Sequence, residues 1–119
     1  MPINICVLGD RAYYERILPS NPYLASEHCL FLGRAATNDE VVAAMPNAEV
    51  LLVDAIATVD ADLIERLPHL KLINSEGVGF DKIDLACARE HGVFVCNNHG
   101  MNAGAVAEQT IMLMIGLLR

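Results

Sequence analysis

The sequence predicts an α/β fold: a flavodoxin-like, doubly wound parallel sheet of five strands in the order 2-1-3-4-5, followed by a protruding apolar helix. Three observations point there. Short apolar runs rich in β-branched residues alternate with segments of helical pattern. The runs are apolar almost without interruption, as strands are when helices cover both faces of a parallel sheet. Five strand–helix units in succession wind most simply into that order.

The strands read as residues 3–8, 28–32, 49–53, 70–74 and 93–96, and the helices between them as 12–18, 37–45, 60–67 and 81–91. Thr37 and Glu40 form a capping-box pair that satisfies amides at the start of the second helix. Pro68 stops the third, because it has no amide to donate. Asp81 is the expected N-cap of the fourth and Gly92 its C′ residue. The last helix runs from an Asn102 cap through AVAEQTIMLMIGLL. Past Thr110 no polar residue interrupts it before Arg119. A helix apolar all round is normally buried on every side. This one therefore packs against a second copy, or the chain stops before the segment that covers it.

The chain has 119 residues, enough for one core, and 54% of them are hydrophobic, too many for a disordered chain. Its formal net charge is −7, with basic residues dispersed. That argues against nucleic acid and against an anionic membrane surface, both of which need clustered Lys and Arg. The start, MPINICVLGD, lacks a basic n-region and breaks at Gly9-Asp10, unlike a signal peptide. No window has the roughly 18 uninterrupted apolar residues of a membrane span. Cys6, Cys29, Cys87 and Cys96 have no C-x-x-C pairing and read as buried reduced thiols, which places the protein in the cytoplasm. His28, His69, His91 and His99 show no metal spacing, so no metal is expected; His69 and His91 read as surface residues and His99 as a loop residue. Tyr13, Tyr14 and Tyr23 read as packing residues or as the lining of a cleft.

In a doubly wound sheet ligands bind beyond the carboxyl ends of the strands. That singles out Gly9-Asp10, Asp54-Ala55, residues 75–79 and residues 97–102. The stretch NSEGVGFDKID (74–84) is not a dinucleotide fingerprint. Lys82 stands where G-x-G-x-x-G needs its third glycine, and Asn97 and Asn98 stand where an acid belongs about twenty residues further on. Its glycines still let the backbone approach a ligand closely, and the amides of residues 78–80 lead into a helix start, both of which favour an anion. A plain βα turn with glycines at positive φ is the alternative. Asp81 and Asp84 read as a cap and a helix-start charge.

The segments LPHLKLINSEGVGFDKID and GVFVCNNHGMNAGAVAEQT resemble the D-isomer-specific 2-hydroxyacid dehydrogenases. The family pattern is an apolar strand, G-x-G-x-D-x-I-D, a helix, then V-x-N-x-P-G-x-N and A-V-A-E-x-T in a long apolar helix. The match is close over residues 66–119 and one of layout before that, and His99 replaces the usual Pro. The resemblance implies that Val78 and Gly79 offer amides to the substrate carboxylate while Gly77 permits the turn. It also implies that Val78 approaches the nicotinamide end of NAD or NADP and that Thr110 touches the cofactor. Residues 1–101 would be the substrate domain. Residues 102–119 would be the interdomain helix that helps build the family's homodimer. The family's cofactor loop and its catalytic Arg, acid and His correspond to positions beyond Arg119. No catalytic residue is therefore assigned, and this chain alone is expected to be inactive, with no cofactor of its own.

A phosphoacceptor receiver domain shares the sheet order and is the rival reading. Asp10, Asp54 and Ser75 fill three of its positions, but the fifth strand ends in Cys96-Asn97-Asn98 without the required lysine. A non-enzymatic dimerising α/β module is the remaining alternative.

Overall fold

The computed structural model describes residues 2–119. The five strands are β1 (Ile5–Leu8), β2 (Cys29–Leu32), β3 (Val50–Val53), β4 (Leu72–Ser75) and β5 (Phe94–Cys96). The helices are α1 (Arg11–Ile17), α2 (Asn38–Ala44), α3 (Ala61–Arg66), α4 (Leu85–Glu90) and α5 (Ala103–Leu117), and a 3₁₀ turn covers Pro22–Ala25. The sheet is parallel throughout in the order β2-β1-β3-β4-β5, as the sequence predicts.

Each of the first four helices starts on a side chain that satisfies an otherwise orphaned amide, a feature worth about 1 kcal/mol apiece. Asp10 accepts from the Ala12 amide at 2.9 Å, and Asp60 from the Leu63 amide at 3.0 Å. The Thr37–Glu40 capping box forms as expected. For α4 the cap is Asp84, which accepts from the Cys87 amide at 2.9 Å, and not Asp81, which is exposed in the preceding turn. The reason is tertiary. Residues 82–84 are drawn alongside Val59, with Val59 N donating to Lys82 O and Asp84 N to Val59 O, both at 2.9 Å. A helix cannot begin until that bridge ends. Gly92 ends α4 with φ +68°, as its C′ role requires. Asn102 stands at the N-cap of α5 but its side chain makes no capping bond there, a second departure from expectation.

Register-paired strand residues share a face. Cys6, Leu8, Leu51, Val53 and Ile73 meet Val41, Leu63, Ile64 and Cys87 from α2, α3 and α4, with Leu67 at the end of α3, in the main core. Burial there pushes the Cys6 thiol up to about 11. On the opposite face α1 and the 3₁₀ turn cover only the β1–β2 side, where Val7, Tyr14 and Cys29 pack with Phe31 and Leu24. Further along that face Leu72 and Asn74 are half-buried, and Phe94 is 77% exposed. Cys96 is exposed there too, so the expectation of four buried thiols fails at that residue.

Every residue of α5 is exposed. The helix extends the molecule to 56 × 36 × 23 Å, with a radius of gyration of 16.7 Å. A compact chain of this length would have a radius of about 13–14 Å. No helix of the described residues is long and apolar enough to cross a membrane.

Candidate carboxylate-binding site

Beyond the carboxyl ends of β1, β3 and β4 lies a cleft of about 350 Å³ lined by Asp10, Tyr13, Arg34, Asp54, Glu76 and Gly77. One rim of it leads into the glycine loop, residues 75–80. Glu76 N donates to Val53 O at 2.8 Å, and from there on every bond that holds the loop uses one of its carbonyls. Asn98 Nδ2 donates to Glu76 O at 2.6 Å and Asn98 N to Gly77 O at 2.9 Å. Asn97 Nδ2 donates to Val78 O at 2.7 Å, and the buried Ser75 Oγ donates to Gly79 O at 2.6 Å. The amides of Gly77, Val78, Gly79 and Phe80 have no acceptor among the described residues. With the carbonyls of residues 76–78 committed to Asn97 and Asn98 and that of Gly79 to Ser75, four successive donors remain open in a loop of restricted freedom. Such an arrangement suits a small anion.

The plain-turn alternative does not account for the two glycines. Neither Gly77 nor Gly79 has positive φ, so the plain left-handed turn is not what the loop requires. Gly77 is needed for clearance: a Cβ there would lie 2.7 Å from the Cβ of Ala55, closer than real side chains approach. The amides of residues 78–80 also do not lead directly into a helix, because α4 starts at Leu85. The helix dipole therefore adds little to their field, since it falls off within the first turn.

The cleft itself is acidic. Arg34 Nη2 pairs with Asp54 Oδ2 at 3.3 Å, and Asp10 is engaged in capping α1. Glu76 Oε1 is buried without a hydrogen-bond partner, and burial pushes its carboxyl up. The hydroxyl of buried Tyr14 is likewise unpartnered, while Tyr13 of the same helix faces the cleft. Tyr23 instead donates its hydroxyl to Ile3 O. The receiver reading loses its chemistry here, because Asp10 and Ser75 are both committed to holding the backbone and Asp54 is paired with Arg34. His99 and His69 are exposed, and His28 Nδ1 bonds Asn4 Oδ1 at 2.9 Å. Thr110 is exposed on α5 and donates its hydroxyl to Val106 O at 2.7 Å.

Residues 13–112 match the family model described as D-isomer specific 2-hydroxyacid dehydrogenase, catalytic domain. The chain belongs to that family. Among curated relatives it is 40% identical over 81 residues to a hydroxypyruvate reductase of Thermotoga maritima, covering 68% of this chain and 26% of that one. It is 37% identical over 81 residues to a D-3-phosphoglycerate dehydrogenase of Mycobacterium bovis, covering 68% of this chain and 15% of the relative. A solved 2-hydroxyacid dehydrogenase from Ketogulonicigenium vulgare superposes with TM-score 0.78 at 27% identity, over 97% of this chain and 35% of that one. An NAD-dependent formate dehydrogenase from Staphylococcus aureus, solved with NAD, gives TM-score 0.68 at 26% identity, over 97% of this chain and 38% of that one. The chain thus spans only a fraction of each relative's length.

The glycine loop lacks the third glycine and the ribose-binding acid of the dinucleotide fingerprint. Thr110 donates its hydroxyl within its own helix, which leaves its oxygen able to accept a further bond. The asparagines that organise the cradle were visible in the sequence only as part of a ligand-side segment. Their paired role in holding carbonyls depends on β5 lying beside β4, which spacing does not reveal.

Proposed function

We propose that this chain is the substrate-side portion of an NAD- or NADP-dependent enzyme that interconverts a 2-oxoacid and a D-2-hydroxyacid. The observation that carries the reading is the set of four open amides at residues 77–80, with their carbonyls tied back by Asn97, Asn98 and Ser75. In this reading Val78 and Gly79 donate to the substrate carboxylate, and Gly77 supplies the clearance that lets the loop pass Ala55. Val78 and Thr110 face the cofactor supplied by the rest of the enzyme. Residues 1–101 form the substrate domain and residues 102–119 the interdomain helix, through which two copies associate in the cytoplasm.

The chain by itself is inactive in this reading, because proton and hydride movement need groups that the family carries elsewhere. It also binds weakly. Two amide bonds to a carboxylate contribute about 1.5–3 kcal/mol each. Their sum is near the roughly 4 kcal/mol of a millimolar complex. The acidic cleft offsets part of it, and the family's catalytic Arg is the counter-charge that would restore it.

The test is a titration of the ¹⁵N-labelled chain with D-lactate at constant ionic strength, with chloride as control. Saturating shifts centred on the amides of residues 77–80 support the cradle. Shifts centred elsewhere, or identical shifts with chloride, refute it.

A further inference from the structure

At the other end of the sheet from the cleft, α3 and α4 bring together three side chains that the dehydrogenase reading does not use. These are Glu65, Cys87 and His91, whose ligand atoms all lie within 4.8 Å of one another. We propose that they form a binding site for a zinc-like divalent cation that clips α3 to α4.

The geometry is specific. Cys87 and His91 are four residues apart on α4 and its C-cap, and Cys87 Sγ lies 3.5 Å from His91 Nδ1. A tetrahedral zinc with Zn–S of about 2.3 Å and Zn–N of about 2.0–2.1 Å holds its sulfur and nitrogen about 3.5 Å apart. The two atoms therefore already stand at the separation of ligands on one ion. Glu65 reaches across from α3 with no basic partner and no hydrogen bond of its own among the described residues. One thiolate, one imidazole and one carboxylate leave a fourth position for water, and that ligand mixture selects zinc over magnesium or calcium.

The surrounding charge favours a cation. Glu65, Asp84 and Glu90 stand close to Cys87. In the free chain His91 Nδ1 bonds the Cys87 carbonyl at 2.9 Å. Binding exchanges that bond for coordination: Nδ1 presents its lone pair, its proton moves to Nε2 through solvent, and the thiol proton leaves to water. Spacing along the chain could not show this site, because Glu65 comes from a different helix.

The experiment is a Co²⁺ titration of the reduced, tag-free chain, read by absorption. The expected result is one equivalent bound, with the thiolate-to-cobalt charge-transfer band in the near ultraviolet. Cys87→Ser abolishes the band, and Cys96→Ser, which removes the exposed thiol, leaves it unchanged. His91→Ala and Glu65→Gln, both at exposed positions, weaken Co²⁺ binding about tenfold or more. Zn²⁺ raises the Tm of the parent chain and not that of His91→Ala, whereas Mg²⁺ raises neither. Absence of the band in the parent chain overturns the site, as does its survival in Cys87→Ser or undiminished affinity in His91→Ala. None of these readings depends on carboxylate binding at the glycine loop, so either site can fail without the other.

Discussion

Replacing Gly77 by alanine tests the most sharply defined contact in the candidate site. The added methyl would stand 2.7 Å from the Cβ of Ala55, where carbon atoms prefer about 3.5–4.0 Å. Ala55 cannot rotate its Cβ away, so the backbone of one loop must move by nearly an ångström. Gly77 O is held by Asn98 N at 2.9 Å, and the neighbouring carbonyls are held too, so the shift strains a fastened segment. Overpacking of this kind costs about 1–3 kcal/mol. For a chain of this size that lowers Tm by roughly 4–12 °C. Gly79→Ala is the control. Its Cβ would meet Ala55 at an ordinary 3.8 Å, so its Tm should change by less than about 0.5 kcal/mol equivalent. The decisive variant is Gly77→Ala with Ala55→Gly, which removes the opposing methyl. Thermal unfolding of the four members of that cycle should give a coupling of about 0.5–3 kcal/mol, with the double variant partly restored. A Gly77→Ala protein that melts like the parent refutes the steric reasoning. So does a loss that Ala55→Gly leaves untouched.

Two further outcomes follow from features elsewhere in the molecule. Ile111→Glu with Ile115→Glu alters two residues that are 58% and 56% exposed on α5, so the fold should survive. If residues 102–119 join two copies, these four side chains per dimer contribute about 1.5–3 kcal/mol each. That sum is comparable to the cost of association, about 4–15 kcal/mol, so light scattering should show the parent dimer become a monomer. A parent chain that is already monomeric, or a variant of unchanged mass, refutes that role for the helix. Glu76→Gln should stabilise the protein at neutral pH. Burial raises the folded carboxyl above its ordinary 4.5, so its favourable contribution is complete below that value and is lost as pH rises through the folded pKa. The Tm advantage of the glutamine variant should therefore grow as pH increases through that window; an advantage independent of pH would contradict the burial of a charged form.

Local chemistry made most of the scaffold legible. Near-continuous apolar runs marked all five strands, and the Thr37–Glu40 pair marked a helix start to the residue. The sequence starts all five strands one or two residues early, at β1 and β4 because apolar residues such as Ile3 and Leu70 continue past the ladder. Where the chain was misread, a distant partner decided the outcome. Asp81 and Asp84 are equally good caps in isolation, and only the pairing of Ile83 with Val59 selects the second. The loop glycines invited an explanation from backbone freedom, whereas Gly77 answers to a methyl more than twenty positions away. Cys96 has the apolar setting of a buried thiol in sequence, but it occupies the part of the sheet face that no helix covers. The loop proposed to hold a carboxylate is visible in the sequence as a glycine turn after a strand; its anchoring by Asn97 and Asn98 is not, because hydrogen-bond direction is a property of the assembled sheet.

The strand order has a bearing on how the chain is made. β2 pairs on one side of β1, and every later strand is added on the other side in the sequence in which it is synthesised. No strand has to insert between two that are already joined. A chain emerging N-terminus first, at about 5–20 residues per second, can therefore lay down each strand on a single advancing edge and cover it with the helix that follows. Among the described residues the advancing edge is β5, where Phe94 lies uncovered on the open face and a helix leads away.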